Sequence, residues 1–93
     1  MGRREAAVDE YVIVVETGYK MASAAHRMTF TEPMARWEAT RTFLELMEGR
    51  HEDLLPARTD SHILEVSATE FLRVHQAMGG SVVLDRVTLT RKH

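Results

Sequence analysis

The chain has 93 residues, of which 44% are hydrophobic and 28% charged, with no cysteine and a formal net charge of −2. These values describe one globular domain with a single modest core. They exclude disulfides, thiolate metal sites and a cysteine nucleophile, and they lack the basic surplus on which a dedicated DNA binder relies.

Ten of the twelve basic residues are Arg, a bias that a GC-rich genome explains. The longest apolar run, Tyr11 to Val15, is far short of the roughly 20 residues that span a bilayer. No apolar stretch follows the charged start Met1-Gly2-Arg3-Arg4-Glu5, so that start is not read as a signal peptide. The expectation is a cytoplasmic protein with no membrane contact.

Met1 to Asp9 reads as a frayed, charged arm. Glu10 to Thr17, EYVIVVET, is the clearest strand, rich in β-branched residues. Tyr11, Ile13 and Val15 point one way and Val12 and Val14 the other, so both faces are apolar and the strand is placed centrally. Gly18 breaks it. Tyr19 to Ala25 reads either as a hairpin loop or as a helical turn. His26 to Phe30 alternates, with His26, Met28 and Phe30 on one side, and predicts a second strand antiparallel to the first.

Thr31 to about Glu48 carries the strongest helical pattern and the only tryptophan. Thr31 is the expected N-cap, with Glu32 and Pro33 in the first turn. Ala35, Ala39, Phe43, Leu46 and Met47 share one side; Trp37 and Leu44 widen that arc, which places Trp37 at the core or its rim. Glu38, Arg41, Glu45 and Glu48 lie opposite, and Gly49 ends the helix. Arg50 to Ser61 is a polar connection pinned by Leu54 and Leu55, and His62 to Val66 is a short third strand. Ser67-Ala68-Thr69-Glu70 has the form of a capping box, predicting a second helix from about Ala68 to Met78 that buries Phe71, Leu72, Val74 and Met78. Gly79-Gly80 closes it. Ser81 to Thr90 is the last strand, with Asp85 on the same face as Val83, Val87 and Leu89, a mixture that suits a half-exposed or bulged strand.

The order β-β-α-β-α-β predicts an α+β two-layer sandwich: about four strands, two helices on one sheet face, and a right-handed βαβ-like crossover at its C-terminal end.

No motif for chemistry emerges. Among His26, His51, His62, His75 and His93 no pair has the i,i+4 spacing of a helical zinc site. His51-Glu52-Asp53 crowds three donors on a loop, where adjacent residues rarely converge on one metal. His75 reads as a half-buried histidine bonded to backbone. Ser67 is assigned to capping, Ser61 and Ser81 to turns, and no Gly-x-Ser-x-Gly elbow or phosphate loop is present. No cofactor, metal or catalytic residue is expected.

The remaining signal is the sheet. Two helices cover one face, leaving apolar positions of the first and last strands on the other, and the last strand is also a candidate edge. Tyr11, Ile13, Arg27, Arg86 and Thr88 make up the candidate interaction surface. The expected function is a small non-catalytic protein-binding or regulatory domain, whose partner is another protein or a second copy of itself. Its size and lack of motifs are compatible with an inhibitor encoded by a phage or mobile element, of the anti-CRISPR kind, although no residue pattern identifies one. The alternative is a nucleic-acid-binding accessory protein using Arg3, Arg4, Arg27, Arg86, Arg91 and Lys92.

Overall fold

The computed structural model describes residues 9–19, 26–76, 80 and 82–93. β1 (Glu10–Tyr19), β2 (Arg27–Phe30), β3 (Met34–Ala35), β4 (Ser61–Ser67), β5 (Glu70–Gln76) and β6 (Val82–Lys92) form one sheet. Its order is β2-β1-β6-β5-β4, with β3 also pairing to β1, and every pairing is antiparallel. α1 (Arg36–Met47) is the only helix among the described residues. The expected two-helix sandwich in the order β-β-α-β-α-β is therefore corrected: the predicted second helix is strand β5, and the predicted parallel crossover is a run of antiparallel hairpins. The last strand is not an edge either. β6 lies between β1 and β5, and the edges are β2 with β3 on one side and β4 on the other.

The residues of β5 explain the correction. Along EFLRVHQ, Phe71, Arg73 and His75 are buried and alternate with Leu72 and Val74. That is a period of two, hidden because the buried set includes two basic residues. Arg73 tolerates burial through Asp85 on β6, which is fully buried. Arg73 Nε and Nη2 donate to Asp85 Oδ2 at 2.9 and 2.7 Å, and Nη1 donates to the Pro56 carbonyl at 2.7 Å. The same pair accounts for the acidic residue on the apolar side of β6. The apparent capping box is a hairpin turn, in which the Ser67 hydroxyl accepts the Thr69 N–H at 3.1 Å instead of starting a helix.

β1 runs through Gly18 rather than stopping there. Between Glu16 and Tyr19 it carries one more residue than β6 does between Arg86 and Leu84, so a bulge forms. Gly18 takes φ 69°, which suits a residue without Cβ. Its N–H donates to Asp85 Oδ1 at 2.9 Å.

The helix starts later than its sequence pattern suggests. Thr31 extends the β1 edge: its N–H donates to the Ile13 carbonyl, and its hydroxyl accepts the Ile13 N–H, both at 3.0 Å. Ala35 takes the N-cap position with no side-chain bond. The C-terminus agrees with the pattern. Gly49, at φ 89°, donates to Leu46, and Arg50 donates to Glu45, the paired bonds of a Schellman motif. α1 buries Ala39, Phe43 and Leu46 against the sheet. The core joins Ile13, Val15, Phe43, Leu46, Leu55, Phe71 and Val87, with Leu54 and Met47 packed beside it. Leu54 and Leu55 thus pin the long connection as expected. Phe43 meets Phe71 edge-on with centroids 5.3 Å apart, a geometry worth about 0.5–1.5 kcal/mol beyond the area it buries. Trp37 does not join this core; it is 64% exposed.

The expected arm (residues 1–8), the connection 20–25, and Ala77, Met78, Gly79 and Ser81 lie outside the described residues.

Removing one member of the buried pair leaves an uncompensated charge. Asp85→Ala is expected to destabilise the fold by about 3–5 kcal/mol. The double replacement Arg73→Met with Asp85→Leu is expected to cost clearly less than that single change. Urea unfolding of the three proteins measures both; equal losses would show that the pair contributes only packing.

Candidate interaction face

Cross-strand partners share a sheet face, so the register determines what lies on the side away from α1. One row reads Met28, Glu16, Arg86, Leu72, Leu64 across β2, β1, β6, β5 and β4. The next reads Phe30, Val14, Thr88, Glu70. On the other side of the charged row come Leu84, Val74 and His62, then Val82 beside Gln76. Met28, Phe30, Leu64 and Val82 are each half exposed or more, and no described element covers them. They are spread over separate strands, Met28 and Phe30 at one edge of the sheet and Leu64 at the other.

A charged line crosses the middle of the apolar field. Glu16 Oε2 accepts from Arg86 Nε at 2.9 Å, and Oε1 accepts from Arg86 Nη2 at 3.3 Å. His26 Nε2 lies 3.1 Å from Glu16 Oε1, and Arg86 Nη1 lies 3.8 Å from Glu70 Oε2. The Arg86 hydrogen bonds hold the Glu16 carboxyl below its ordinary pKa against the opposing effect of burial, and His26 adds to the lowering. Glu16, Leu72, Leu84 and Arg86 line a shallow depression of about 200 Å³.

The structure separates the five residues expected at the interaction surface. Arg86 and Thr88 lie on the open face. Ile13 pairs with Leu89 and is fully buried under α1. Tyr11 and Arg27 share its side, paired with Arg91 and Thr17. Apolar character alone groups Tyr11 and Ile13 with Arg86, yet β1 meets β6 with Glu16, not Ile13, on the Arg86 side. The open face also carries Met28, Phe30, Leu64, Leu72 and Glu16, which the sequence pattern does not group with Arg86. The alternation of His26, Met28 and Phe30 was visible, but which side α1 covers was not.

Two other surfaces carry features of interest. On the outer side of α1, Trp37 and Leu44 are exposed, and the Arg41 guanidinium sits 5.2 Å from the Trp37 ring centroid. Beyond the helix, His75 is buried beside the Arg73–Asp85 pair, with Nε2 3.7 Å from Asp85 Oδ2 and no hydrogen bond. Burial and the nearby Arg58 and Arg73 charges push the His75 pKa down, more than Asp85 raises it. The Asp85 carboxylate is already committed to Arg73 and Gly18. His51 Nε2 meets Glu45 Oε1 at 2.7 Å and lowers the Glu45 pKa. Among the described residues, no group of three His, Asp or Glu side chains is placed to hold a metal. Nor, among the described residues, is any helix long and apolar enough to cross a membrane.

No known family model, curated protein or solved structure matches the chain. Its functional reading rests on geometry and charge.

His75 gives a signed pH dependence. Its folded pKa lies below the unfolded value of about 6.5, so the unfolded chain takes up the proton first. Its share of stability is intact above that pH and is lost as pH falls towards the folded pKa. Between about pH 7.5 and pH 5.5 the urea midpoint of His75→Gln should fall less than that of the wild type. Parallel slopes would remove His75 as the source.

Proposed function

We propose that this chain is a non-catalytic protein-binding or regulatory domain that works through the helix-free face of its sheet. The observation that carries the reading is the exposed apolar field of Met28, Phe30, Leu64 and Val82 around the Glu16–Arg86–Glu70 line. Exposed apolar side chains gathered on one side of a sheet support a role in association. Four side chains able to do chemistry have structural partners instead: His51 on Glu45, His26 on Glu16, Asp85 on Arg73, and the Ser61 hydroxyl on the Arg58 carbonyl. Of the basic residues named for nucleic-acid binding, Arg86, Arg91 and Lys92 each lie against a carboxylate, and Arg3 and Arg4 lie outside the described residues.

The test is capture from a lysate of the native source by immobilised domain. Phe30 and Leu64 are 64% and 50% exposed, so Phe30→Glu with Leu64→Glu should leave stability within about 1 kcal/mol. The double variant is expected to lose what the wild type retains, whereas Trp37→Ser on the opposite side keeps it. The reverse pattern would move the site to α1.

A further inference from the structure

We infer that β4 is a docking edge for an extended peptide, which adds beside it as a further antiparallel strand. The edge has this capacity whether or not the open face binds a partner. β4 ends the sheet order. In an antiparallel ladder the N–H and C=O groups of a strand point alternately to its two neighbours, so half of those in β4 meet no strand. Among the described residues no other backbone bond reaches them. Another extended chain is the partner that offers donors and acceptors at that spacing. The opposite edge is a poorer template, broken into β2 of four residues and β3 of two. β4 has seven residues, all but Ser61 exposed, with neither Pro nor Lys to discourage pairing. The irregularity between Glu65 and Ser67 confines the regular template to residues 61–65.

The side chains along this edge specify what the peptide carries. Ser61, Ile63 and Glu65 pair with His75, Arg73 and Phe71, and Phe71 belongs to the core under α1. All three therefore face the helix side. A groove of about 170 Å³ lies there, with Leu46, Met47, Ala57 and Ile63 in its lining. Glu48, Arg58 and Arg73 also line it. Glu48 has Arg50 at 3.5 Å and Arg73 has Asp85 at 2.7 Å. Arg58 is exposed and has no ion pair among the described residues. Its carbonyl accepts the Ser61 hydroxyl at 3.2 Å, which keeps it beside the start of the strand. Asp60 lines the neighbouring depression with His75 and Gln76, not this groove. Glu65 is likewise exposed and without an ion pair among the described residues. The edge thus has a cation at its start, an apolar centre and a carboxylate at its end. An antiparallel strand complements it with a basic residue opposite Glu65, an apolar one opposite Ile63 and an acidic one opposite Ser61, near Arg58. A second apolar residue meets Leu64 on the other side. A second copy is a poorer occupant, since β4 against its own image makes a single strand contact, below the area of a specific dimer.

The probe is acetyl-Thr-Lys-Val-Val-Thr-Glu-Thr-amide, which sets Lys, Val, Val and Glu opposite Glu65, Leu64, Ile63 and Ser61. Amide hydrogen exchange followed by NMR reads the addition. Saturating peptide should slow alternate β4 amides and leave those of β2 unchanged. Of two peptides N-methylated on alternate residues, one should lose the effect and the other keep it. The peptide with Lys and Glu exchanged should bind about fivefold more weakly, and Arg58→Glu with Glu65→Lys should reverse that preference. If this double variant fails to fold, the peptide series on the wild type decides alone. No slowing at millimolar peptide, equal loss with both N-methylated peptides, or equal binding of the two charge orders would overturn the proposal. Protection of the same amides that grows with protein concentration and needs no peptide would make the occupant a second copy, and overturns it too.

Discussion

The buried ion pair between Arg73 and Asp85 is the constraint on which the sheet depends. Both charges are withdrawn from water, at a cost of several kcal/mol each, and the surrounding structure is arranged to offset it. Asp85 receives two bonds from Arg73 and one from the Gly18 N–H, while the third Arg73 bond holds the Pro56 carbonyl. One carboxylate therefore ties β5 to β6, fixes the bulge in β1, and through Arg73 anchors the long connection after α1. His75 lies close to this cluster with its Nε2 unbonded, and burial there pushes its pKa down.

The same pair accounts for most of what was hard to read in the amino-acid sequence. The first strand, the second strand, the Gly49 stop and the pinning by Leu54 and Leu55 were legible because each depends on local pattern or backbone geometry. β5 was not. Its inner face contains Arg73 and His75, so a strand period was masked, and Ser67 and Glu70 happen to stand at capping-box spacing. Thr31 misled in a similar way: a good N-cap on local grounds, it bonds to Ile13 in the β1 edge instead. In each case a partner far along the chain overrode a local preference, and no window of neighbouring residues contains that information.

That one sheet face stays uncovered by helix was legible, but the residues on it were not. An excess of apolar strand positions over what the helices could cover was evident, but the side of each strand depends on register. Glu16 opposite Arg86 joins residues 70 positions apart. With that pairing in place, Ile13 falls into the core, and Met28, Phe30 and Leu64 come forward. The charged line follows from the same alignment and gives the face direction: an apolar field alone accepts many partners, whereas a field crossed by alternating signs rejects most of them.

The pairing of the first long strand with the last also governs how the molecule comes to exist. β1 lies inside the sheet, yet β6, its longest partner, follows at the other end of the chain, with Glu10 opposite Lys92. At ribosomal rates of 5–20 residues per second, the 70 positions between Glu16 and Arg86 correspond to roughly 4–14 s. During that interval β1, apolar on both sides, has only short strands beside it. The sheet closes after synthesis of β6, a topology of high contact order that folds slowly for its length. The most hydrophobic segment of the protein is thus the one that waits longest in a crowded cell, and a chaperone that shields extended apolar chain has its longest opportunity there.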